Sequence, residues 1–318
     1  MNALLQLGKE LKAAGYRFTT VTPATHERVN RRAENARARD LHGVFGWSRP
    51  FGPDVLPERI VELMDAAGVL DRRGDEWHSL VRFSSYDGEL FVHSAFPTEA
   101  EDSVFFGPDT YRMADAASAR VESRESPVRR AVDIGTGTGA GAIAVAKRCP
   151  EAEVFAVDIN DRALEYTAVN AALAGVGNVR PVHSDLLSDV DGTFDLVVTN
   201  PPFMIDPAGR AYRDGGTNGY ELSLRIIDQA APRLAPGGEL VLFTGTGIVD
   251  GHDPFREAAA EHLAGSGLTV GYREVDPDVY GEELDGPAYA HAERIAVVLL
   301  TARAEGSADI LEQRQNPG

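Results

Sequence analysis

Between residues 104 and 302, short apolar runs alternate with stretches of helical spacing, and this alternation constrains the fold more than any other feature of the chain. The candidate strands are Arg130–Ile134, Glu153–Asp158, Val179–His183, Phe194–Thr199, Glu239–Thr244, Leu268–Val275 and Arg294–Thr301. A strand covered on both faces reads as a near-continuous apolar run, and reaching a parallel neighbour takes a crossover, usually a helix. Helices are expected between the first five runs. Tyr220–Leu234 shows the spacing most plainly, with Tyr220, Leu224, Ile227, Ala231 and Leu234 on one stripe. The pattern predicts an α/β unit built on a doubly wound parallel sheet, its last two strands forming an antiparallel edge.

Residues 1–103 follow a different grammar. Leu4, Leu5, Leu7 and Leu11 suggest a short amphipathic helix, and Thr25–Arg39 a second. Arg28, Arg31, Arg32 and Arg39 would fall near one face of that second helix, as a solvated face or as a contact for an anionic partner. Gly43–Pro53 is a structured loop, and Pro57–Ala67 a helix closed by Gly68. Trp77–Ser84 and Glu89–His93 read as strands around the turn Tyr86-Asp87-Gly88. Helices followed by a hairpin suggest an α+β, winged-helix-like front domain, a shape used for nucleic acid, peptide or dimer contacts alike. The polar stretch 303–318 is expected to be a frayed tail.

Charge and composition narrow the partners. The chain of 318 residues carries −18, yet its first 40 residues have eight basic against four acidic side chains, +4 against −22 for the remainder. Such acidity disfavours wrapping of nucleic acid, whose non-specific affinity comes from cations on phosphates, but leaves room for a local basic patch. One cysteine, Cys149, excludes a disulfide framework, and eight scattered histidines give no metal-ligand spacing, so no metal is expected. No apolar run suits a membrane span, and MNALLQLGKELKAAG is too charged and short for a signal peptide. The expectation is a soluble cytoplasmic protein without a membrane partner.

The chemistry-bearing motifs lie where the candidate strands end. AVDI runs into Gly135-Thr136-Gly137-Thr138-Gly139 and then a helix, a turn that lets backbone approach a ligand closely. On its own this loosely fits a dinucleotide fingerprint. Asp133, however, suits an ammonium group and would repel a pyrophosphate. The next strand ends in Asp158-Ile159-Asn160, where Asp158 can accept both ribose hydroxyls, while Asp161 is the better helix cap. Ser184-Asp185-Leu186 closes the third strand; Asp185 could meet an adenine amino group or simply serve the turn, and His183 could sit nearby. The fourth strand runs into Asn200-Pro201-Pro202-Phe203. Two prolines cannot continue a ladder, so the Asn200 side chain and the carbonyls of Asn200 and Pro201 are thrust out at the end of the sheet. Two acceptor oxygens beside an aromatic ring can hold a planar NH2 group by its hydrogens while Phe203 stacks on its π-system.

At these residues the chain resembles the class I S-adenosylmethionine-dependent methyltransferases of the N-P-P-Y/F branch, over roughly residues 104–301. DIGTGTG, AVDIN, SDL, FDLVVTNPPF and APGGELVLF occur in the family's order. The nearest-looking subgroup is the HemK-like protein-glutamine methyltransferases of the "methyltransferase small" group, with ribosomal RNA guanine enzymes close by. VFFGPDTYRMADAA resembles the stretch ahead of the HemK-like cofactor site, which would bring in Asp109 and Thr110. Arg213-Asp214-Gly215-Gly216 followed by Gly219 resembles a family turn. The resemblance implies a Rossmann-like methyltransferase domain over 104–302 that binds S-adenosyl-L-methionine. Asp133 and Gly135 would neighbour its amino acid part, Asp158 its ribose and Asp185 its adenine, with Thr136, Gly137, Gly139, Ile159, Asn160, Ser184, Leu186 and Asn200 also in the cofactor site. Asn200 and Pro201 would grip the acceptor nitrogen beside Phe203.

Departures from the family leave the acceptor open. Phe203 stands where the family has tyrosine, residues 1–103 do not look like a HemK helical bundle, and Asp276–His291 has no recognised counterpart. The first expectation is N-methylation of a planar nitrogen in a small molecule or peptide of a biosynthetic pathway. Protein glutamine and ribosomal or transfer RNA bases are the alternatives, with a catalytically inactive scaffold as a reading of another class. Pro202, Tyr212, Arg213 and Tyr220, with Trp47 and Phe51 from the front loop, are the candidates for the acceptor pocket.

Overall fold

The computed structural model describes residues 2–210 and 212–306. Asn2 caps α1 (Ala3–Ala13), whose buried stripe is Leu4, Leu7 and Leu11. Next come α2 (Pro23–Asn30), the short α3 (Leu41–Phe45) and α4 (Glu58–Ala66). Two antiparallel hairpins follow: β1 (Leu70–Arg73) with β2 (Glu76–Ser79), and β3 (Val81–Tyr86) with β4 (Glu89–Ser94). The strand expected over Trp77–Ser84 is thus two strands parted at exposed Leu80, and β2 turns back onto β1. The helix expected over Thr25–Arg39 ends at Asn30, with a single 3-10 turn at Ala33–Asn35 beyond it. Arg32 and Arg39 therefore lie off α2, and the four arginines share no helix face.

The rest of the chain supplies α5 (Pro108–Glu122), β5 (Arg130–Ile134), α6 (Ala140–Arg148), β6 (Glu153–Asp158), α7 (Asp161–Leu173), β7 (Val179–His183) and β8 (Phe194–Thr199). It continues with α8 (Glu221–Ala230), β9 (Leu234–Ile248), α9 (Pro254–His262), β10 (Thr269–Asp276) and β11 (Arg294–Arg303). They form one sheet of order β10-β11-β9-β8-β5-β6-β7. The pairs β5–β6, β6–β7, β5–β8 and β8–β9 are parallel, and β11 runs antiparallel to both β9 and β10. This is the doubly wound Rossmann-like sheet with an antiparallel edge. The strand order reverses at β5, so the carboxyl ends of β5, β6 and β8 flank the crevice where such sheets bind ligands.

One crossover departs from expectation. No helix joins β7 to β8; residues 184–193 cross as turns. Leu186, Leu187 and Val190 fill the core in place of a helical stripe. Arg233 braces the segment by donating to the carbonyls of Leu187, Val190 and Gly192, oxygens a helix would have satisfied internally.

The front elements share a continuous core with α7, through Ala163, Tyr166, Val169 and Leu173. Asn170 of α7 fastens them. Its side chain accepts from Val92 N at 2.7 Å and donates to Val92 O at 3.1 Å and Thr138 O at 2.9 Å, tying β4 to the glycine-rich turn. Among the described residues, no helix is long and apolar enough to cross a membrane, and no group of three or more His, Cys, Asp or Glu could hold a metal ion. Residues 307–318 of the expected tail lie outside the described residues.

Candidate active site

The turn after β5 takes its shape from three glycines with positive φ, Gly135, Gly137 and Gly139, at +66°, +54° and +79°. Gly139 starts α6 without a side-chain cap, and Asp133 supplies one from β5. Its Oδ2 accepts from Ala142 N at 2.9 Å and Thr136 Oγ1 at 2.8 Å, satisfying a free N–H of the first helical turn. Asp133 is 1% exposed and its Oδ1 has no partner. Burial pushes its carboxyl up to about 7, against the lowering effect of those two hydrogen bonds. Asp133 itself is not among the residues lining the cavity, whereas Gly135 and Thr136 are, and Thr136 Oγ1 joins its carboxyl to that lining. Gly139 is also off the wall, packed against Thr167.

A cavity of about 460 Å³ opens over the carboxyl ends of the strands. Asp158 closes one side, its Oδ2 accepting from Gly137 N at 2.9 Å and its Oδ1 from Asn160 N at 3.0 Å. A carboxylate has about four acceptor sites, so Asp158 keeps capacity for a hydroxyl beside these main-chain donors. Burial raises the Asp158 carboxyl above the usual range. Ile159, at 54%, is a large apolar side chain left exposed at this wall. Asn160 caps α7 through Arg162 N and donates to Asp102 O. Ser184, Asp185 and Leu186 also line the cavity; Asp185 is exposed and paired with Arg225 at 3.2 Å. His183 instead pairs with Asp161 at 2.8 Å and does not line the cavity.

At the end of β8, Asn200, Pro201, Pro202 and Phe203 form the opposite wall. Asn200 Oδ1 is buried and has no partner. An unpaired buried carbonyl oxygen costs the desolvation of that group, so the geometry asks for an N–H donor. The Phe203 ring lies on Gly245 of β9, where a Cβ would come within 2.2 Å of it. Met204 N donates to Arg213 O at 3.0 Å and Gly215 N to Met204 O at 2.8 Å, so the turn after the motif is laced back onto it. Gly215 is obligatory there: a Cβ would meet Gly219 O at 2.0 Å.

Tyr212 and Arg213 reach the wall as expected, Tyr212 donating to Thr98 O. Tyr220 does not; its ring packs on Phe255 at 5.9 Å between centroids. Trp47 and Phe51 are also corrected. Trp47 packs against Phe18 and His26, and Phe51 is fully buried beside Trp77, both in the front core. An aromatic in a Gly-rich loop is read equally well as packing or contact, and here packing takes both rings.

Asp109 and Thr110, at the start of α5, line the cavity. Asp109 is raised by burial, and it accepts a hydrogen bond from Tyr280, a residue not anticipated at the site. Tyr280 belongs to the segment after β10, stands at φ +52°, and brings its ring to 6.0 Å from that of Phe203. Glu283 of the same segment pairs with Arg213 at 2.6 Å. Phe105, Met113, Glu221 and Arg225 are among the other lining residues not anticipated, as are Pro23, Ser103 and Val104 from the front of the chain.

Residues 114–248 match the model of the family described as Methyltransferase small domain. The release factor glutamine methyltransferase of Deinococcus radiodurans is 35% identical over 188 residues, 55% of this chain and 63% of the relative. The ribosomal protein uL3 glutamine methyltransferase of Bradyrhizobium diazoefficiens is 32% identical over 210 residues, 61% of each. The chain thus spans less than two thirds of these relatives' length. Among solved structures, Trm5b from Pyrococcus abyssi shares the fold with a TM-score of 0.50 at 17% identity, covering 74% of this chain and 62% of that one.

Proposed function

We propose that this chain, whose residues 114–248 are a methyltransferase small domain of the class I, S-adenosylmethionine-dependent kind, methylates the side-chain amide nitrogen of a glutamine in a peptide or protein. The observation that carries the reading is Asn200 Oδ1, buried and unpaired where β8 ends in two prolines. The relatives act, by their names, on glutamine of a release factor and of ribosomal protein uL3. They favour the protein-glutamine alternative over the first expectation, a small molecule or peptide of a biosynthetic pathway.

The residues present fit the cofactor. Asp158 offers a carboxylate with acceptor capacity for a hydroxyl, Ile159 and Leu186 offer apolar surface for a purine, and Asp133 keeps an unpaired oxygen near the glycine turn. The cofactor supplies an electrophilic methyl on a sulfonium sulfur. The chain supplies orientation. Asn200 Oδ1 and the adjacent main-chain carbonyls take the two hydrogens of the amide NH2, which turns its nitrogen toward the methyl and draws its lone pair out of conjugation. Phe203, seated on Gly245, closes one side of that nitrogen. Alignment of this sort lowers the barrier without a general base, because the proton can leave after transfer.

The test is incubation of the purified chain with S-adenosylmethionine and a blocked peptide containing Gly-Gly-Gln. The expected result is S-adenosylhomocysteine and a peptide heavier by one methyl on the glutamine side chain. Turnover of a small heteroaryl amine or an RNA base, with the peptide unmodified, would replace the reading.

A further inference from the structure

A second residue of the cavity lining carries an unpaired atom, of opposite sense to Asn200 Oδ1: the Nε–H of Arg213 is buried and has no acceptor. Little in the arrangement leaves that guanidinium free to move. Its main chain is held by Met204 N donating to Arg213 O and by Arg213 N donating to Arg210 O at 2.9 Å. Its Nη2 is held by Glu283 at 2.6 Å. Glu283 in turn sits on a segment bolted to the motif, since Ile205 N donates to Tyr289 Oη at 2.9 Å and Val279 N to Ile295 O at 2.9 Å. Tyr280, in the left-handed region, turns the same segment inward toward Phe203 and Asp109. The Nη2 of the guanidinium is thus taken by a carboxylate while Nε–H is left without an oxygen, on a residue that lines the same cavity as the Asn-Pro-Pro-Phe motif.

We propose that Arg213 binds a main-chain carbonyl oxygen of the acceptor peptide, and that Glu283 is the positioning residue that holds it for that contact. The proposal rests on the glutaminyl reading above. It assigns the 276–291 segment to acceptor choice: the amide nitrogen is recognised by an oxygen from β8, and the peptide backbone by a donor kept in place from the edge of the sheet. A neutral carbonyl suits a guanidinium already paired with one carboxylate, because the pair with Glu283 neutralises most of its attraction for a second anion.

The experiment uses the full chain loaded with S-adenosylhomocysteine, titrated with the blocked Gly-Gly-Gln peptide in a calorimeter. Arg213→Ala is expected to weaken peptide binding about ten- to hundredfold, the size of a hydrogen bond to a charged group. S-adenosylhomocysteine affinity should stay within about twofold of the parent, a discrepancy well under one hydrogen bond. Arg213→Lys keeps the charge but loses the fork, and should recover little of the loss. Glu283→Gln should raise KM for the peptide more than it lowers kcat, and Glu283→Asp should restore part of KM. Melting curves identify a variant that fails to fold, and the conservative Arg213→Lys and Glu283→Asp proteins then carry the comparison. If the parent methylates the peptide while Arg213→Ala and Arg213→Lys bind it as tightly as the parent, the proposal falls and the glutaminyl reading stands. If the parent neither binds nor methylates the peptide, both fall.

Discussion

The ring of Phe203 rests directly on Gly245, leaving no room for a methyl group between them. Phe203 is the one aromatic of the Asn-Pro-Pro-Phe motif, and its position depends on a glycine in the neighbouring strand β9, in the middle of a buried ladder. Gly245→Ala should therefore push the ring into the cavity while the sheet survives, since overpacking of this size costs about 1–3 kcal/mol. Turnover is expected to fall about a hundredfold, the cost of misplacing a reacting group by roughly 1 Å. Titration with S-adenosylhomocysteine should show cofactor affinity nearly unchanged.

Asp158 and Asn200 stand on opposite sides of the cavity and should fail differently when removed. Asp158→Ala takes away the acceptor for hydroxyls and also the anchor of Gly137 and Asn160 N–H, so cofactor binding should weaken about tenfold or more. Asn200→Ala should leave cofactor affinity close to that of the parent and lower kcat about a hundredfold through lost alignment. Calorimetry with single-turnover rates separates the two. Outright loss of cofactor binding in Asn200→Ala would dissolve the division of roles.

Asp133 makes a pH prediction with a definite sign. Its carboxyl is raised by burial from the ordinary range to about 7 in the folded chain. The folded state thus disfavours ionisation that the unfolded chain allows. The penalty is absent near pH 4, grows as pH rises toward 7 and is full above it, with an upper bound on the order of 4 kcal/mol. Asp133→Asn keeps an acceptor for Thr136 and Ala142 and carries no charge, though it leaves an amide hydrogen unpaired. Thermal melts should show the variant more stable than the parent by about 1–3 kcal/mol at pH 8, with the difference vanishing toward pH 4. A difference that does not change with pH would contradict this account of the buried carboxyl.

Much of the frame was legible in the sequence because buried parallel strands are continuous apolar runs, as β5, β6, β8 and β9 each carry. The Asn-Pro-Pro-Phe wall was legible for a similarly local reason: two prolines must end a ladder. What escaped depended on distant partners. The crossover from β7 to β8 lacks a helix because Arg233, far along the chain, satisfies its carbonyls. Arg72 and Arg73 gave β1 no apolar alternation, so its pairing with β2 was hidden. Tyr280 and Glu283 sit in an acidic, proline-bearing segment whose local sequence says loop, and only the return of β11 beside β9 brings that segment over Phe203. Asp133 also caps the start of α6 with one oxygen, a role its position at a strand end does not reveal.

The front elements act on the site through α7. Asn170 is fully buried on α7 and bonds to both polar groups of Val92 on β4 and to the carbonyl of Thr138 in the glycine-rich turn. It ties the β3–β4 hairpin to the cavity wall, as Ser94 of β4 does by accepting from Val104 N. Asn170→Ala leaves one N–H and two carbonyls buried without partners, which should cost roughly 2–4 kcal/mol even after partial relaxation or entry of water. The melting temperature should drop by several degrees, at about 2–4 °C per kcal/mol for a chain of this size class. Because Thr138 lies on the cavity wall, cofactor affinity should fall together with stability. A substitution of similar thermal cost elsewhere in the front core, Leu7→Ala in α1, should lower the melting temperature and leave cofactor affinity alone. Equal losses of affinity in both variants would mean that the hairpin and the turn are coupled by global stability rather than through Asn170.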